Sequence, residues 1–492
     1  MCGIVGMVGQ GLVNQEIYDA LLLLQHRGQD STGIATAERS GVFHIAKAKG
    51  QVREAFRTRD MRSLLGEIGL GHVRYATKGT AGSEQEAQPF YVNAPYGLVL
   101  VHNGNLTNTR ELTDELFHRD RRHLNTTSDT ELLVNVLANE LQESITGTQL
   151  GPEQIFQAVT RVHERVEGSY AAISLIAGYG LLAFRDPFGI RPLILGTRPV
   201  AVPIEGAPKY EWVVASESLV LDNAGFEVVR DVEPGEAVFI DLEGNLHTRQ
   251  CAPNAQLVPC AFEYVYLARP DSVMNGIAVY ESRLRMGDRL ADTIAKYTPA
   301  GTIDVVMPIP DSSRPSAMQV ARKLGLEYRE GFYKNRYIGR TFIMPGQAVR
   351  KKSVRQKLNA MPSEFKGKNV LLIDDSIVRG TTSKEIIQMA RDAGAISVTF
   401  ASAAPPVRYP HVYGINMPSR HELVAHGRTI PEIAEELGCD YLVYQEVDDL
   451  KEAILEGAPD VTDLDMSCFD GRYITGTVSD EYLAWVEGNQ ES

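Results

Sequence analysis

A cysteine stands at position 2, directly behind the initiator methionine. Removal of a methionine that precedes a small residue leaves such a cysteine with a free α-amino group. An α-amino group titrates near about 8 and a thiol near about 8.5, so the amine can take the thiol proton at neutral pH. The thiolate can then attack an amide carbon, and one residue serves as nucleophile and base. Far along the chain, the apolar run Val370-Leu371-Leu372-Ile373 ends in Asp374 and Asp375, followed by Ser376-Ile377-Val378-Arg379-Gly380-Thr381-Thr382-Ser383. Successive strand residues point to opposite faces, so adjacent carboxylates act together only where a strand ends and the chain turns. Open parallel sheets bind ligands at that carboxyl edge. The N–H groups of the following loop and helix start suit a phosphate.

Polar, glycine-flanked segments accompany the cysteine: His26–Gly33, Gly71–Thr77 with Arg74 at a strand end, and His102–Leu106 after another strand. Thr127-Ser128-Asp129-Thr130 reads as a helix cap. Cys251, Cys260, Cys439 and Cys468 are widely spaced and form no CxxC pair, so neither a zinc site nor a disulfide framework is indicated. They read as small buried or surface thiols.

These residues need elements to hold them. A chain of 492 residues exceeds what one core usually serves, so two domains are expected. The first half has short alternating segments that read as antiparallel strands: Gly3–Val8, Tyr96–Val101, Ala171–Ile176, Leu181–Phe184 and Trp212–Ala215. Gln15–Gln25 and the run after Ser128 keep helical spacing. After about residue 260 the pattern changes. Strands Ile303–Pro308, Val370–Ile373 and Ser397–Ser402 alternate with helices Pro315–Leu324 and Ser383–Ala393, which predicts a parallel sheet with crossover helices. The expected units are residues 2–235, 260–440 and a tail of helices over 441–492. The net charge of −14 disfavours a nucleic-acid binder. The N-terminus lacks a secretory signal and no apolar run has membrane-span length, so a cytoplasmic protein without membrane contact is expected.

Taken in order, Cys2 and the four polar segments resemble the class II, N-terminal nucleophile glutamine amidotransferase domain over about residues 2–235. The resemblance implies a four-layer αββα fold of α+β class. It makes Cys2 the nucleophile, and Asn103 with the Gly104 N–H the oxyanion hole. Arg74 would clamp the glutamine carboxylate, Asp129 would hold its ammonium group, Thr77 would line the pocket and Arg27 would brace the Cys2 segment. A zwitterionic substrate needs one charge of each sign, which Arg74 and Asp129 supply.

The Val370–Ser383 run resembles the phosphoribosyl pyrophosphate motif of type I phosphoribosyltransferases, an α/β fold on a parallel sheet. By that resemblance Asp374 and Asp375 bind the ribose hydroxyls, directly or through Mg²⁺, and Ser376, Arg379, Gly380, Thr381, Thr382 and Ser383 cradle the 5′-phosphate. Pro308–Ser313 would be the pyrophosphate loop, with Asp311 contributing and Ser312 near the metal. Lys334–Lys357 carries eight basic residues and no acidic ones, unusual in an acidic chain. It reads as a lid over a polyanion, with Lys334, Tyr337, Arg340 and Lys357 its leading contributors.

A glutaminase joined to a phosphoribosyltransferase is a narrow combination. The whole chain, including Phe262–Tyr266 and Ala268–Ser272 at the junction, is similar to the glutamine phosphoribosylpyrophosphate amidotransferase family. That implies pentosyl transfer: glutamine, phosphoribosyl pyrophosphate and water give 5-phosphoribosylamine, glutamate and pyrophosphate, the first step of de novo purine synthesis. It also implies an internal ammonia route, purine nucleotide feedback inhibitors and a homotetramer. One branch of the family has a propeptide and a four-cysteine [4Fe–4S] cluster. Here only Met1 precedes Cys2, Cys260 stands at the first ligand position, His411 at the second, and the CxxC is missing around Asp463–Cys468. One thiolate of four cannot hold such a cluster, so no iron–sulfur cluster is expected. Two sister amidotransferases fit less well: asparagine synthetase would need an SGGxDS-type ATP loop, and glucosamine-phosphate synthase would lack the double aspartate. The alternative of another class is a nucleotide-sensing regulator on a phosphoribosyltransferase fold, which need not retain Cys2, Arg74, Asn103 and Asp129 together.

Overall fold

The computed structural model describes residues 2–75, 84–145, 150–201, 208–299, 301–335, 357–415, 417, 419–458 and 460–488. Two antiparallel sheets make up the first half. One has seven strands, with Gly3–Val8 and Ile68–Arg74 adjacent at its centre. The other has six, with Leu98–Leu106 paired to Gly168–Ile176. The apolar residues of alternate positions meet between the sheets: Ile4, Val8, Ile68 and Leu70 from the first, Val99, Val101, Ile173 and Val238 from the second. The opposite face of the first sheet is covered by helix Asn14–Leu23 through Ile17 and Leu21. That of the second is covered by helices Asp129–Ser144 and Pro152–Arg165. The result is the expected α/β/β/α stack.

The six-stranded sheet runs past the expected limit at residue 235, because Glu236–Asp241 pairs with Phe184–Gly180 on one side and with Leu246–Gln250 on the other. Strand Leu98–Leu106 is also longer than its apolar pattern. Asn103 and Gly104 lie within it, held by pairing to Ala171 and Tyr170.

The second half holds a five-stranded parallel sheet in the spatial order Glu327–Tyr328, Val305–Pro308, Asn369–Asp374, Ser397–Ser402, Tyr441–Tyr444. Tyr441–Tyr444 carries this sheet beyond residue 440. Helices Val279–Tyr297 and Arg314–Leu324 pack on one face and Thr381–Asp392 with Ile430–Leu437 on the other. In chain order the strands lie 2-1-3-4-5, so the order reverses between Val305–Pro308 and Asn369–Asp374. The crevice at that reversal, beyond the carboxyl ends of the strands, is where doubly wound sheets place ligands. A further apolar cluster, containing Ile190, Cys260, Tyr264, Tyr413 and Phe469, lies at the junction of the two halves.

Candidate active sites

Cys2 precedes the central strand Gly3–Val8 and is 8% exposed. Alternation puts it on the face of Ile4, turned toward the second sheet. Asn103 shares a face with Val99 and Val101 and so looks back across the same gap. Its side chain is buried, and neither its Oδ1 nor its Nδ2 has a hydrogen-bond partner. A buried amide without partners costs about 1–3 kcal/mol, which points to a role as donor to something that arrives later. The next residue, Gly104, has φ +154° and lies so close to Ser169 that a Cβ would fall 2.0 Å from its carbonyl oxygen. Only glycine fits this approach.

Arg74 ends its strand with a buried guanidinium. Nη1 lies 3.2 Å from Asp30 Oδ2 and Nη2 donates to Glu86 Oε2 at 2.8 Å. These bonds fix the fork while leaving other N–H groups for a ligand. Asp129 opens helix Asp129–Ser144, capped by Ser128, whose side chain accepts from the Thr130 N–H at 3.3 Å. One Asp129 oxygen accepts from the Leu106 N–H at 3.3 Å, and the other lies 3.8 Å from His102 Nδ1. Burial first, then the nearby Arg74 charge, push His72 on the same strand as Arg74 down to about 3, so it is neutral. Thr77 lies outside the described residues.

Arg27 is buried and donates from Nε to the Cys2 carbonyl at 3.0 Å. Its Nη1 meets Glu217 and its Nη2 meets both oxygens of Glu263 at 2.9 and 2.8 Å. Burial opposes the charge of Glu217, but Arg27 and His26 outweigh it and hold this carboxyl well below the usual range. Glu217 and Glu263 were not singled out by sequence reading. The one signal was an acidic residue set among aromatics in Phe262-Glu263-Tyr264, a place where a charge needs a buried partner.

At the parallel sheet, Asp374 ends its strand and Asp375 follows, 8% exposed. Burial first, then the charge of Asp375, push the Asp374 carboxyl well above its ordinary range. Ser312 donates to Asp375 Oδ2 across the crevice, and Ser376 donates to Asp375 Oδ1 at 2.7 Å. The Pro308–Ser313 segment and the Asp374–Asp375 turn therefore meet where the strand order reverses. The Pro310–Asp311 peptide is cis. Asp311 is held by Lys334 Nζ at 2.8 Å and Arg314 Nη1 at 2.9 Å. Gly380, at φ +74°, turns the loop into helix Thr381–Asp392, with Thr381, Thr382 and Ser383 in its first turn. Arg379 Nη2 donates to Glu422 at 3.2 Å. Lys334 and Lys357 flank the basic run at the base of a two-stranded ribbon, Phe332–Lys334 with Leu358–Ala360, where the Asn335 N–H donates to the Lys357 carbonyl at 2.8 Å. Tyr337 and Arg340 lie outside the described residues.

Residues 72–204 match a family model for a glutamine amidotransferase domain, and residues 280–412 one for a phosphoribosyl transferase domain. An amidophosphoribosyltransferase of Pseudomonas aeruginosa is 55% identical over 489 residues, covering 99% of this chain and 95% of the relative. The chain belongs to the amidophosphoribosyltransferase family. The amidophosphoribosyltransferase of Escherichia coli is 53% identical, with 99% of this chain and 95% of the relative covered. Among solved structures, the Bacillus subtilis glutamine phosphoribosylpyrophosphate amidotransferase, complexed with ADP and GMP, has 34% identity and a TM-score of 0.83, covering 97% of this chain and 98% of that one.

Cys260, His411 and Asp465 are buried with ligand atoms within 4.8 Å of one another. His411 Nε2 lies 3.4 Å from Cys260 Sγ and 3.1 Å from Asp465 Oδ2. The Tyr413 N–H donates to Nδ1 at 3.2 Å, which makes Nδ1 the acceptor and leaves the ring proton on Nε2, facing the other two groups. Burial pushes the thiols of Cys260 and Cys468 up. A donor set of one sulfur, one imidazole and one carboxylate does not fit a cluster held by four thiolates.

Proposed function

We propose that this chain catalyses glutamine-dependent formation of 5-phosphoribosylamine, in two sites of one polypeptide, about residues 2–250 and 260–444. At the first, the Cys2 amine takes the thiol proton and the thiolate attacks the glutamine amide. The Asn103 amide and the Gly104 N–H receive the charge that develops on the amide oxygen. Arg74 takes the substrate carboxylate, Asp129 its ammonium group, and Thr77 lines the pocket. Ammonia leaves and water releases glutamate from the thioester.

At the second site, Ser376, Gly380 and the first turn through Ser383 hold the 5′-phosphate, with Arg379 contributing its backbone. Asp374 and Asp375 hold the ribose hydroxyls, and Asp311, Ser312, Lys334, Lys357, Tyr337 and Arg340 meet the pyrophosphate side. Asp374, Asp375 and Ser312 offer hard oxygen donors that suit Mg²⁺, which would neutralise the pyrophosphate charge when bound. Ammonia displaces pyrophosphate while the carboxylates stabilise the positive charge at the anomeric carbon. The chain carries no iron–sulfur cluster. It works in the cytoplasm as a homo-oligomer, a tetramer, and purine nucleotides inhibit it, a reading supported by the nucleotides bound to the Bacillus subtilis protein. No helix among the described residues is long and apolar enough to cross a membrane.

The observation that carries the proposal is the unpartnered Asn103 amide across the sheet gap from a buried Cys2. The test is an assay with glutamine, phosphoribosyl pyrophosphate and Mg²⁺. Glutamate and pyrophosphate should appear in about equal amounts, from enzyme whose intact mass lacks Met1. Glutamate without pyrophosphate, or active enzyme that keeps its methionine, overturns it.

A further inference from the structure

We infer that Glu263 and Gly414, which lie outside both N-terminal sheets, are positioning residues for the Cys2 site. This rests on the assignment of glutamine hydrolysis to Cys2. The Cys2 carbonyl is held by Arg27, whose guanidinium is wholly buried. Such a charge persists only with carboxylates beside it. One comes from Glu217, in the first half of the chain. The other is Glu263, in the junction segment, which grips Arg27 with both oxygens. Glu263 also accepts from Arg191 Nη1 at 3.1 Å, and Arg191 donates from Nε to the Tyr413 carbonyl at 2.7 Å. A single buried path therefore runs from the nucleophile's own carbonyl, through Arg27, Glu263 and Arg191, to a carbonyl in the C-terminal half.

The residue after Tyr413 touches the other half of the same site. Gly414, at φ +100°, lies against Gly104, where a Cβ would come within 2.7 Å of the Gly104 carbonyl oxygen. On the same strand, Asn105 Nδ2 donates to the Val412 carbonyl at 2.8 Å, and on the paired strand Gly168–Ile176 the Ser169 hydroxyl donates to the Tyr413 carbonyl at 2.9 Å. One short C-terminal segment is thus tied to the nucleophile by charge and to the oxyanion strand by backbone contact. Neither link passes through water, so a shift of that segment moves the reacting groups. Misplacement by about 1 Å can cost about 10²-fold in rate.

The experiment measures Glu263→Gln and Gly414→Ala in the full chain, by glutamine hydrolysis and by synthesis from added ammonia. Both variants should lose about tenfold or more in glutaminase kcat. Glutamine KM and the ammonia-dependent rate should stay within about twofold of the parent, because the substrate-binding residues and the sugar site keep their contacts. A purely structural role lowers both routes in proportion, and that result overturns the inference. So does a rise in glutamine KM at unchanged kcat, or no change in either variant. If Glu263→Gln does not fold, Gly414→Ala, which removes no charge, decides the matter. Cys2→Ala, run beside them, tests the underlying assignment separately: glutamine-dependent synthesis surviving in it sinks that assignment whatever the positioning variants do.

Discussion

The charges that brace Cys2 are buried and multiply paired, whereas the Asp311–Lys334 ion pair beside the second crevice stays close to water. Arg27, Glu217 and Glu263 have side-chain exposures of 0–2%, while Asp311 and Lys334 form an ion pair at 48% and 44%. The contrast follows from the chemistry. Amide hydrolysis gains from donors that are already fixed where charge develops. A crevice that admits a polyanion and releases pyrophosphate gains from hydrated charges that exchange partners at little cost.

The strongest test of this contrast is Cys2→Ala. It should lower glutamine-dependent synthesis by about 10⁴-fold or more and leave synthesis from ammonia intact. Loss of both routes would mean that the halves do not divide the work. Glu217→Gln comes next. Breaking a buried ion pair costs about 3–5 kcal/mol, measurable by denaturant unfolding. Its pH dependence has a definite sign. The folded carboxyl is depressed below its ordinary value of about 4.3, so its contribution is whole above that pH and drains away as the pH falls toward the folded value. The parent should therefore lose stability between about pH 4.3 and 3 more steeply than Glu217→Gln.

Asn103→Ala should lower glutaminase kcat by about 10²–10³-fold with little change in glutamine KM, as expected for a donor used in the transition state. A rise in KM alone would assign the amide to ground-state binding. Asp374→Asn or Asp375→Asn should lower pyrophosphate release by about 10²-fold from glutamine and ammonia alike, with basal glutamine hydrolysis preserved. Unchanged pyrophosphate release would remove the pair from the sugar site. Lys334→Ala should change stability by about 1 kcal/mol or less in thermal unfolding, because its pair with Asp311 is exposed. A cost comparable to that of Glu217→Gln would erase the contrast between the two regions.

Local pattern made much of the fold legible. Strands Gly3–Val8 and Ser397–Ser402 have the bounds that their apolar runs predict, and Gly325, at φ +66°, ends helix Arg314–Leu324 where expected. Strand limits were less legible where pairing outran the apolar pattern. His102–Leu106 reads as a polar segment that follows a strand, yet it stays in the sheet because Gly168–Ile176 pairs with it throughout. Arg379 shows the same limit at a side chain: nothing in its motif announces the bond that its Nη2 donates to Glu422.

By itself the sequence determined the two chemistries: a thiol that can acquire its own amine base, and adjacent carboxylates at a strand end before a glycine loop and helix. Both are local, readable from neighbours along the chain. Only the tertiary structure decided what surrounds them. Asp30 and Glu86 at Arg74, Glu217 and Glu263 at Arg27, and Gly414 against Gly104 all come from distant segments. A buried charge takes its partner from whatever the fold brings within about 3 Å, and spacing along the chain carries no record of that distance.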